Sequence, residues 1–191
     1  MFNLPNLITL IRIFCAPLMW WLIWTGDRTF FAWVLTFAFF TDLIDGRIAR
    51  KMHAETRIGS ILDSYGDTLT ILSGLIGLFV FNPELFNEHM LIFAIVIGLH
   101  VVQLCLSLWR YRKPSSFHTW SAKIGAIVIG SFLIITLHFH FIPTLFYLTM
   151  FSLAVDAIEE SVLVFLLPEW KNDVKGIWWV MRSRRESRNS G

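Results

Sequence analysis

Long apolar runs, separated by short polar connections, repeat along the whole chain. A bilayer core takes about 20 mostly apolar residues per helix. Six stretches meet that requirement, at roughly 4–24, 30–49, 58–81, 90–109, 119–141 and 144–167. Five of the six prolines (Pro5, Pro83, Pro114, Pro143, Pro168) stand at or beside the boundaries of these runs. Proline is tolerated there because its missing N–H would have had no partner. Pro17 lies inside the first run and predicts a kink. The opening, MFNLPNLITLIRI, has neither a basic n-region nor a small-residue cleavage site, so it reads as a short amphipathic lead into the first span. The pattern predicts an all-α integral membrane protein. Its six transmembrane helices form a single domain over 1–191, ending in a basic tail at 168–191.

Composition agrees. Apolar residues make up 55% of the 191 and charged residues only 16%, against about 25% charged in soluble domains. That excludes a disordered chain, a coiled coil, a secreted disulfide scaffold and an ordinary cytosolic enzyme. Cys15 and Cys105 lie in apolar runs without motif spacing and read as small buried hydrophobes.

The placement of basic residues sets an orientation. Arg50, Lys51 and Arg57 join the second and third spans. Arg110, Arg112, Lys113 and Lys123 surround the turn between the fourth and fifth, and Lys171, Lys175, Arg182, Arg184, Arg185 and Arg188 fill the tail. The alternate connections carry few cations, so the positive-inside rule puts both termini and the basic loops on the cytoplasmic side. Trp20, Trp21, Trp24 and Trp33 then fall at the outer boundary. Trp109, Trp120, Trp170, Trp178 and Trp179 fall at or beyond the inner one, as an aromatic belt requires. The tail arginines read as an anchor on the lipid surface; nucleic acid is not an expected partner.

Ionisable residues inside spans are costly and mark function by default. The second and third spans hold Asp42, Asp45, Asp63 and Asp67. Asp42, Asp45, Gly46 and Ala49 share one helical stripe, as do Gly59, Asp63 and Asp67. The short loop makes the two helices antiparallel neighbours. Asp45 and Asp63 each lie about five residues, or roughly 8 Å, from the cytoplasmic end. Asp42 and Asp67 lie about eight or nine residues deep at the same rise. Four converging carboxylates need cations, and hard divalent ions suit oxygen ligands. Two such ions bridged by carboxylates form a clamp for phosphoryl transfer. Gly46, Ala49 and Gly59 leave room for an elongated ligand, and Arg50 at the membrane edge could pair with a phosphate.

The segment Asp42 to Asp67 reads DLIDGRIARKMHAETRIGSILDSYGD. It resembles the CDP-alcohol phosphatidyltransferase signature, D-x2-D-G-x2-A-R-x8-G-x3-D-x3-D, at every specified position. PNLITLIRI is similar to the family's approach to its first span, and the six-span layout resembles small bacterial phosphatidylglycerophosphate synthase-like members. The resemblance implies an enzyme of phospholipid biosynthesis that displaces CMP from a CDP-linked lipid donor, CDP-diacylglycerol, onto a small polar alcohol acceptor. It implies two Mg2+ or Mn2+ ions, one held by Asp42, Asp45 and Asp63 and the other shared by Asp63 and Asp67. Asp67 would also take the proton of the attacking hydroxyl. Gly46, Arg50 and Thr56 would contact the nucleotide and diphosphate, with Asn6 and Thr9 as further candidates. A homodimer in the lipid bilayer of the bacterial inner membrane is implied as well, its active site near the cytoplasmic face.

The expected acceptor is glycerol 3-phosphate, because the cytoplasmic mouth is basic. Glycerol-phosphate members often read D-P-x-A-D-K where this chain reads Asp63-Ser-Tyr-Gly-Asp67-Thr68. Inositol phosphate, serine or an amino alcohol are the alternative acceptors, and a CDP-amino alcohol with diacylglycerol is the alternative pair. Lys123 is the candidate for the acceptor phosphate, with Arg110, Arg112 and Lys113 nearby. Asp156, Glu159 and Glu160 lie in the sixth span, and Glu160 is matched in depth to Arg12. An Arg12–Glu160 ion pair is the structural expectation; an acid-lined pocket for a cationic head group is the functional one. His100, His138 and His140 read as satisfied packing residues. A cation or proton transporter would place its acids near the midplane, with repeats; here the acids cluster toward one face. A metal-dependent lipid phosphohydrolase would share the metal cluster but release phosphatidic acid.

Overall fold

In the computed structural model the backbone is described for residues 4–52, 57–113, 117, 119–169, 174 and 176–182; the side chains of 4–10, 42–52 and 57–65 lie outside the description. The described chain is all-helical: α1 (Leu4–Thr25), α2 (Arg28–Met52), α3 (Arg57–Phe81), α4 (Pro83–Tyr111), α5 (Trp120–His138) and α6 (Pro143–Leu166). These match the six apolar runs closely, and α1 continues through Pro17. The largest departure is α4, which begins seven residues before its expected start at residue 90. His89 breaks the helical geometry there, with φ −120° and ψ 20°. The polar lead Pro83–Glu88 is thus a separate helical stub set against the apolar run. Pro83 opens it, since proline suits the first helical turn.

The chain divides into two compact units. The first comprises residues 1–87 and 133–141, the second 88–132 and 142–191.

In the first unit α1, α2 and α3 pack on one another. The turn from α1 to α2 follows from Thr25-Gly26-Asp27. Gly26 adopts φ +77°, and its N–H and that of Asp27 donate to Ile23 O (3.3 Å) and Leu22 O (3.1 Å). This is the Schellman closure, which favours glycine at the left-handed position. Asp27 Oδ1 then accepts from Phe30 N at 3.0 Å, capping α2. Beside this turn Arg28 donates to the Thr136 and Leu137 carbonyls at 2.9 and 3.1 Å. It satisfies the last turn of α5 with a cation, as the helix dipole favours.

Small residues on α3 bring the helices close. A Cβ on Gly77 would sit 2.2 Å from Phe31 Cζ, and one on Gly74 would sit 2.8 Å from Leu133 Cδ1. Phe31 is fully buried and stacks at 5.4 Å on Phe81. Trp20 Nε1 donates to Ser73 Oγ at 2.9 Å, so α1 meets the same face of α3.

In the second unit buried Phe146 on α6 is the aromatic hub, with His89, Phe93 and Phe132 at 4.5, 5.4 and 5.8 Å. A second cluster joins Phe117, Leu163, Val164, Leu167, Val174 and Val180. The C-terminal carbonyls of α6 are met by the end of α4: Tyr111 Oη lies 2.9 Å from Val164 O and 2.8 Å from Leu167 O.

The outer surface is apolar. Trp24, Leu91 and Trp109 are 83%, 74% and 76% exposed, and only 22% of the most apolar stretch of α4 is buried. A soluble protein does not tolerate apolar exposure on this scale. Among the described residues α4 and α5 are long and apolar enough to cross a membrane.

The Gly77 contact is testable. Gly77→Ala should force the Phe31 ring to shift and lower stability by about 1–3 kcal/mol, the usual cost of overpacking. Gly98 has open space around its Cβ position, so Gly98→Ala should leave stability unchanged or slightly raised. Thermal midpoints in one detergent measure both. Equal midpoints would show that α3 does not rely on close approach at Gly77.

Candidate active site

The signature residues all fall in the first unit. Asp42, Asp45, Gly46, Ala49 and Arg50 lie on α2 and Gly59, Asp63 and Asp67 on α3; Asn6 and Thr9 lie on α1. The expected loop contact, Thr56, lies outside the described residues, as do the side chains of Asn6, Thr9, Asp42, Asp45, Ala49, Arg50 and Asp63 and the surroundings of Gly46 and Gly59. Among the described residues no three His, Cys, Asp or Glu side chains gather closely enough to hold a metal ion.

Asp67 is the described member of the quartet. Arg12 Nη1 on α1 donates to its Oδ1 at 2.5 Å. The two ends of this ion pair differ sharply: the Arg12 side chain is 0% exposed and that of Asp67 44%. Cys15, Ala16 and Met19, which follow Arg12 at i+3, i+4 and i+7 on the same stripe of α1, are also buried. Asp67 therefore has one side on a fixed interior cation and another facing outward. The sequence reading paired Arg12 with Glu160. Within its own unit Arg12 holds Asp67, and in the second unit Glu160 Oε2 accepts from Gln103 Nε2 at 2.5 Å. Arg12 falls three residues after Thr9 of Asn6-x-x-Thr9, about one turn further along α1, and a charge in an apolar run is the signal available for it.

The candidate acceptor residues lie in the second unit. Lys123 is exposed in the first turn of α5, its Nζ 5.5 Å above the Trp120 ring. Arg110 Nη2 donates to Leu167 O at 3.3 Å, so it caps the end of α6. Arg112 is exposed and takes the left-handed φ of 55° that closes α4. Ser107 Oγ donates to the Lys113 carbonyl at 2.8 Å.

The remaining acids of α6 organise this same end of the unit. Asp156 Oδ1 accepts from Ser121 Oγ at 3.0 Å and from Thr119 Oγ1 at 3.5 Å. Thr119 Oγ1 in turn accepts from Ala122 N at 3.2 Å, capping α5. Glu159 accepts from Ser121 Oγ through Oε2 and from Ile177 N through Oε1, the latter at 3.1 Å. It thereby ties the terminal helical turn 177–182 to α5 and α6. The tail arginines beyond Arg182, expected as a surface anchor, lie outside the described residues. Val174 and residues 176–182 are docked, with Val174 N donating to Phe117 O at 2.8 Å and Val174 and Val180 buried. Periodicity could not show this, because the docking depends on one backbone bond and one carboxylate far away in sequence. His138 and His100 conform to expectation, whereas His140 is exposed. His138 Nε2 meets Thr36 Oγ1 at 3.0 Å and its ring abuts Trp33 at 4.8 Å, while His100 Nδ1 meets Val96 O at 2.9 Å.

A family model described as CDP-alcohol phosphatidyltransferase matches residues 2–158. The chain belongs to the CDP-alcohol phosphatidyltransferase family. The match takes in the whole signature and extends into α6 as far as residue 158, past Asp156. Among relatives, the CDP-diacylglycerol–glycerol-3-phosphate 3-phosphatidyltransferase of Pseudomonas fluorescens is 31% identical over 140 residues, 66% of this chain and 71% of its own. The protein of that name from Aquifex aeolicus is 23% identical over 176 residues, 88% of this chain and 92% of its own. A cardiolipin synthase (CMP-forming) of Streptomyces coelicolor is 34% identical over 82 residues, 40% of this chain and 38% of its own. No solved structure matches the chain significantly.

Docking of the terminal turn by Glu159 gives a direct test. Glu159→Ala removes a capping acceptor, which is worth about 0.5–2 kcal/mol. Amides of residues 177–182 should then exchange faster with solvent while those of α4 hold their protection. Glu159→Gln keeps an acceptor oxygen and should be milder. Unchanged exchange in Glu159→Ala would show that the tail is held by its apolar contacts alone.

Proposed function

We propose that the chain transfers the phosphatidyl group of CDP-diacylglycerol to the hydroxyl of glycerol 3-phosphate and releases CMP. The observation that carries this reading is the complete signature on α2 and α3, its final aspartate half-exposed and held from α1. The relatives named above for glycerol 3-phosphate supply the acceptor.

In the reaction the acceptor oxygen bonds to the lipid-side phosphorus of the donor. The bond from that phosphorus to the bridging oxygen breaks, and CMP leaves with the electron pair. The hydroxyl proton must go to a positioned base as the new bond forms, and Asp67 is that base. Gly46, Ala49 and Gly59 keep the stripes free of bulk so that the donor can approach the backbone. Arg50, Thr56, Asn6 and Thr9 bind its nucleotide and diphosphate. Lys123, exposed in the first turn of α5, is the candidate to receive the acceptor phosphate. Arg110, assigned to the acceptor by sequence, serves mainly to cap α6.

Asp42, Asp45, Asp63 and Asp67 are all-oxygen donors at helical spacings, a set suited to Mg2+ or Mn2+. Two such ions would neutralise charge on the donor diphosphate. The charge pattern and the apolar helices support six spans with both termini inside, a bacterial inner-membrane location and an active site near the cytoplasmic face. The family resemblance supports a homodimer.

Purified protein should convert CDP-diacylglycerol to a new lipid and CMP with glycerol 3-phosphate, and the product mass should identify the acceptor from a panel. Excess chelator should abolish the reaction and added Mg2+ or Mn2+ restore it. Phosphatidic acid as the lipid product would make the protein a hydrolase. Cardiolipin, the product named for the Streptomyces coelicolor relative, would replace the phosphorylated alcohol by a lipid one.

A further inference from the structure

Among the described residues Arg12 is the one fully buried charge. An arginine stays protonated at any physiological pH. Burying its charge costs several kcal/mol unless a partner is held in good geometry. That partner is Asp67 Oδ1 at 2.5 Å, on a different helix and 55 residues away. Surface ion pairs exchange partners and contribute little. This pair cannot behave so, because one of its members is immobilised by the packing of α1.

The asymmetry carries the inference. Asp67 is 44% exposed on its side chain, and a carboxylate that accessible would ordinarily sample several rotamers. A catalytic group must be held within about 0.5 Å of its productive position. We infer that Arg12 is a positioning residue for phosphatidyl transfer, its immobile guanidinium fixing the direction in which the Asp67 carboxylate meets the acceptor hydroxyl. The inference rests on the role proposed above for Asp67 as proton acceptor. It adds a residue outside the Asp42–Asp67 signature to the working site, and it gives α1 a part in the chemistry besides donor contact. The guanidinium plane matters as well as the charge. Nη1 reaches Oδ1 from the end of a rigid planar group; lysine would supply the charge as a point on a flexible stem and would not hold that direction of approach.

The test is a kinetic double-mutant cycle on the full-length protein in one detergent or nanodisc. Arg12→Lys should lower kcat by about 10²-fold, the cost of a misplacement near 1 Å. KM for CDP-diacylglycerol should change little, since the donor does not depend on the base. The thermal midpoint, measured in chelator, should stay near that of the parent because the charge is kept. Asp67→Asn should lower kcat by about 10²–10⁴-fold. In that background Arg12→Lys should cost nothing more, because a residue that acts through another loses its effect when the other is gone. An equal fall in kcat in both backgrounds would overturn the inference and leave the proposed reaction standing. Full turnover in Asp67→Asn would overturn both. If Arg12→Lys does not fold, the charge-neutral pair Arg12→Gln with Asp67→Asn takes its place. It should turn over like Asp67→Asn alone, and markedly slower turnover would count against the inference.

Discussion

The buried Arg12 guanidinium constrains the first unit more than any other group described. A permanent charge inside α1 must be met by a carboxylate, and Asp67 of α3 meets it. That requirement fixes the rotation and depth of α1 against α3, because the pair forms only when both helices present these faces at one level. The Trp20–Ser73 bond, two turns further along α1, repeats the registration. Close approach at Gly74 and Gly77 then lets Phe31 and Leu35 of α2 fill the angle between helices. The signature residues on α2 and α3 inherit their placement from this packing.

The second unit applies the same rule to its own polar groups. In hydrocarbon each must find a partner within the protein. Thr119, Ser121, Asp156 and Glu159 form one connected network, and Gln103 answers Glu160. The acids of α6 thus hold the start of α5, where Lys123 stands, and the docked tail. They serve an architectural end in the half of the protein that carries the proposed acceptor cation. An acid-lined pocket for a cationic head group is correspondingly less favoured than a phosphorylated acceptor.

Helix number and extent were legible because span length and hydrophobicity dominate such a sequence. The α1–α2 turn was legible in principle from Thr25-Gly26-Asp27, whose glycine and aspartate each have a single geometric use. The stub Pro83–Glu88 and the break at His89 were not, since a polar lead before an apolar run reads equally well as loop. The four aspartates announced themselves through their cost and their spacing. Arg12 announced itself by cost alone, and depth matching suggested Glu160. The described partner is Asp67, on a helix in direct contact with α1, which depth along the chain does not single out. The docked tail escaped notice because its anchors, Phe117 and Glu159, have no periodic relation to it.

The most direct measurement of the central constraint is the coupling of Arg12 and Asp67 in stability. Unfolding of Arg12→Gln, Asp67→Asn and the double variant would be followed in one detergent with chelator present. Breaking one side of a buried pair leaves an uncompensated charge or acceptor, costing about 3–5 kcal/mol when both groups are buried. With Asp67 half-exposed, about 2–3 kcal/mol is expected for removing its carboxylate. The double variant, carrying no charge at either position, should recover most of that loss and be more stable than Asp67→Asn alone. Strictly additive losses would contradict the account, since they would mean that α1 and α3 are held in register by something other than this pair.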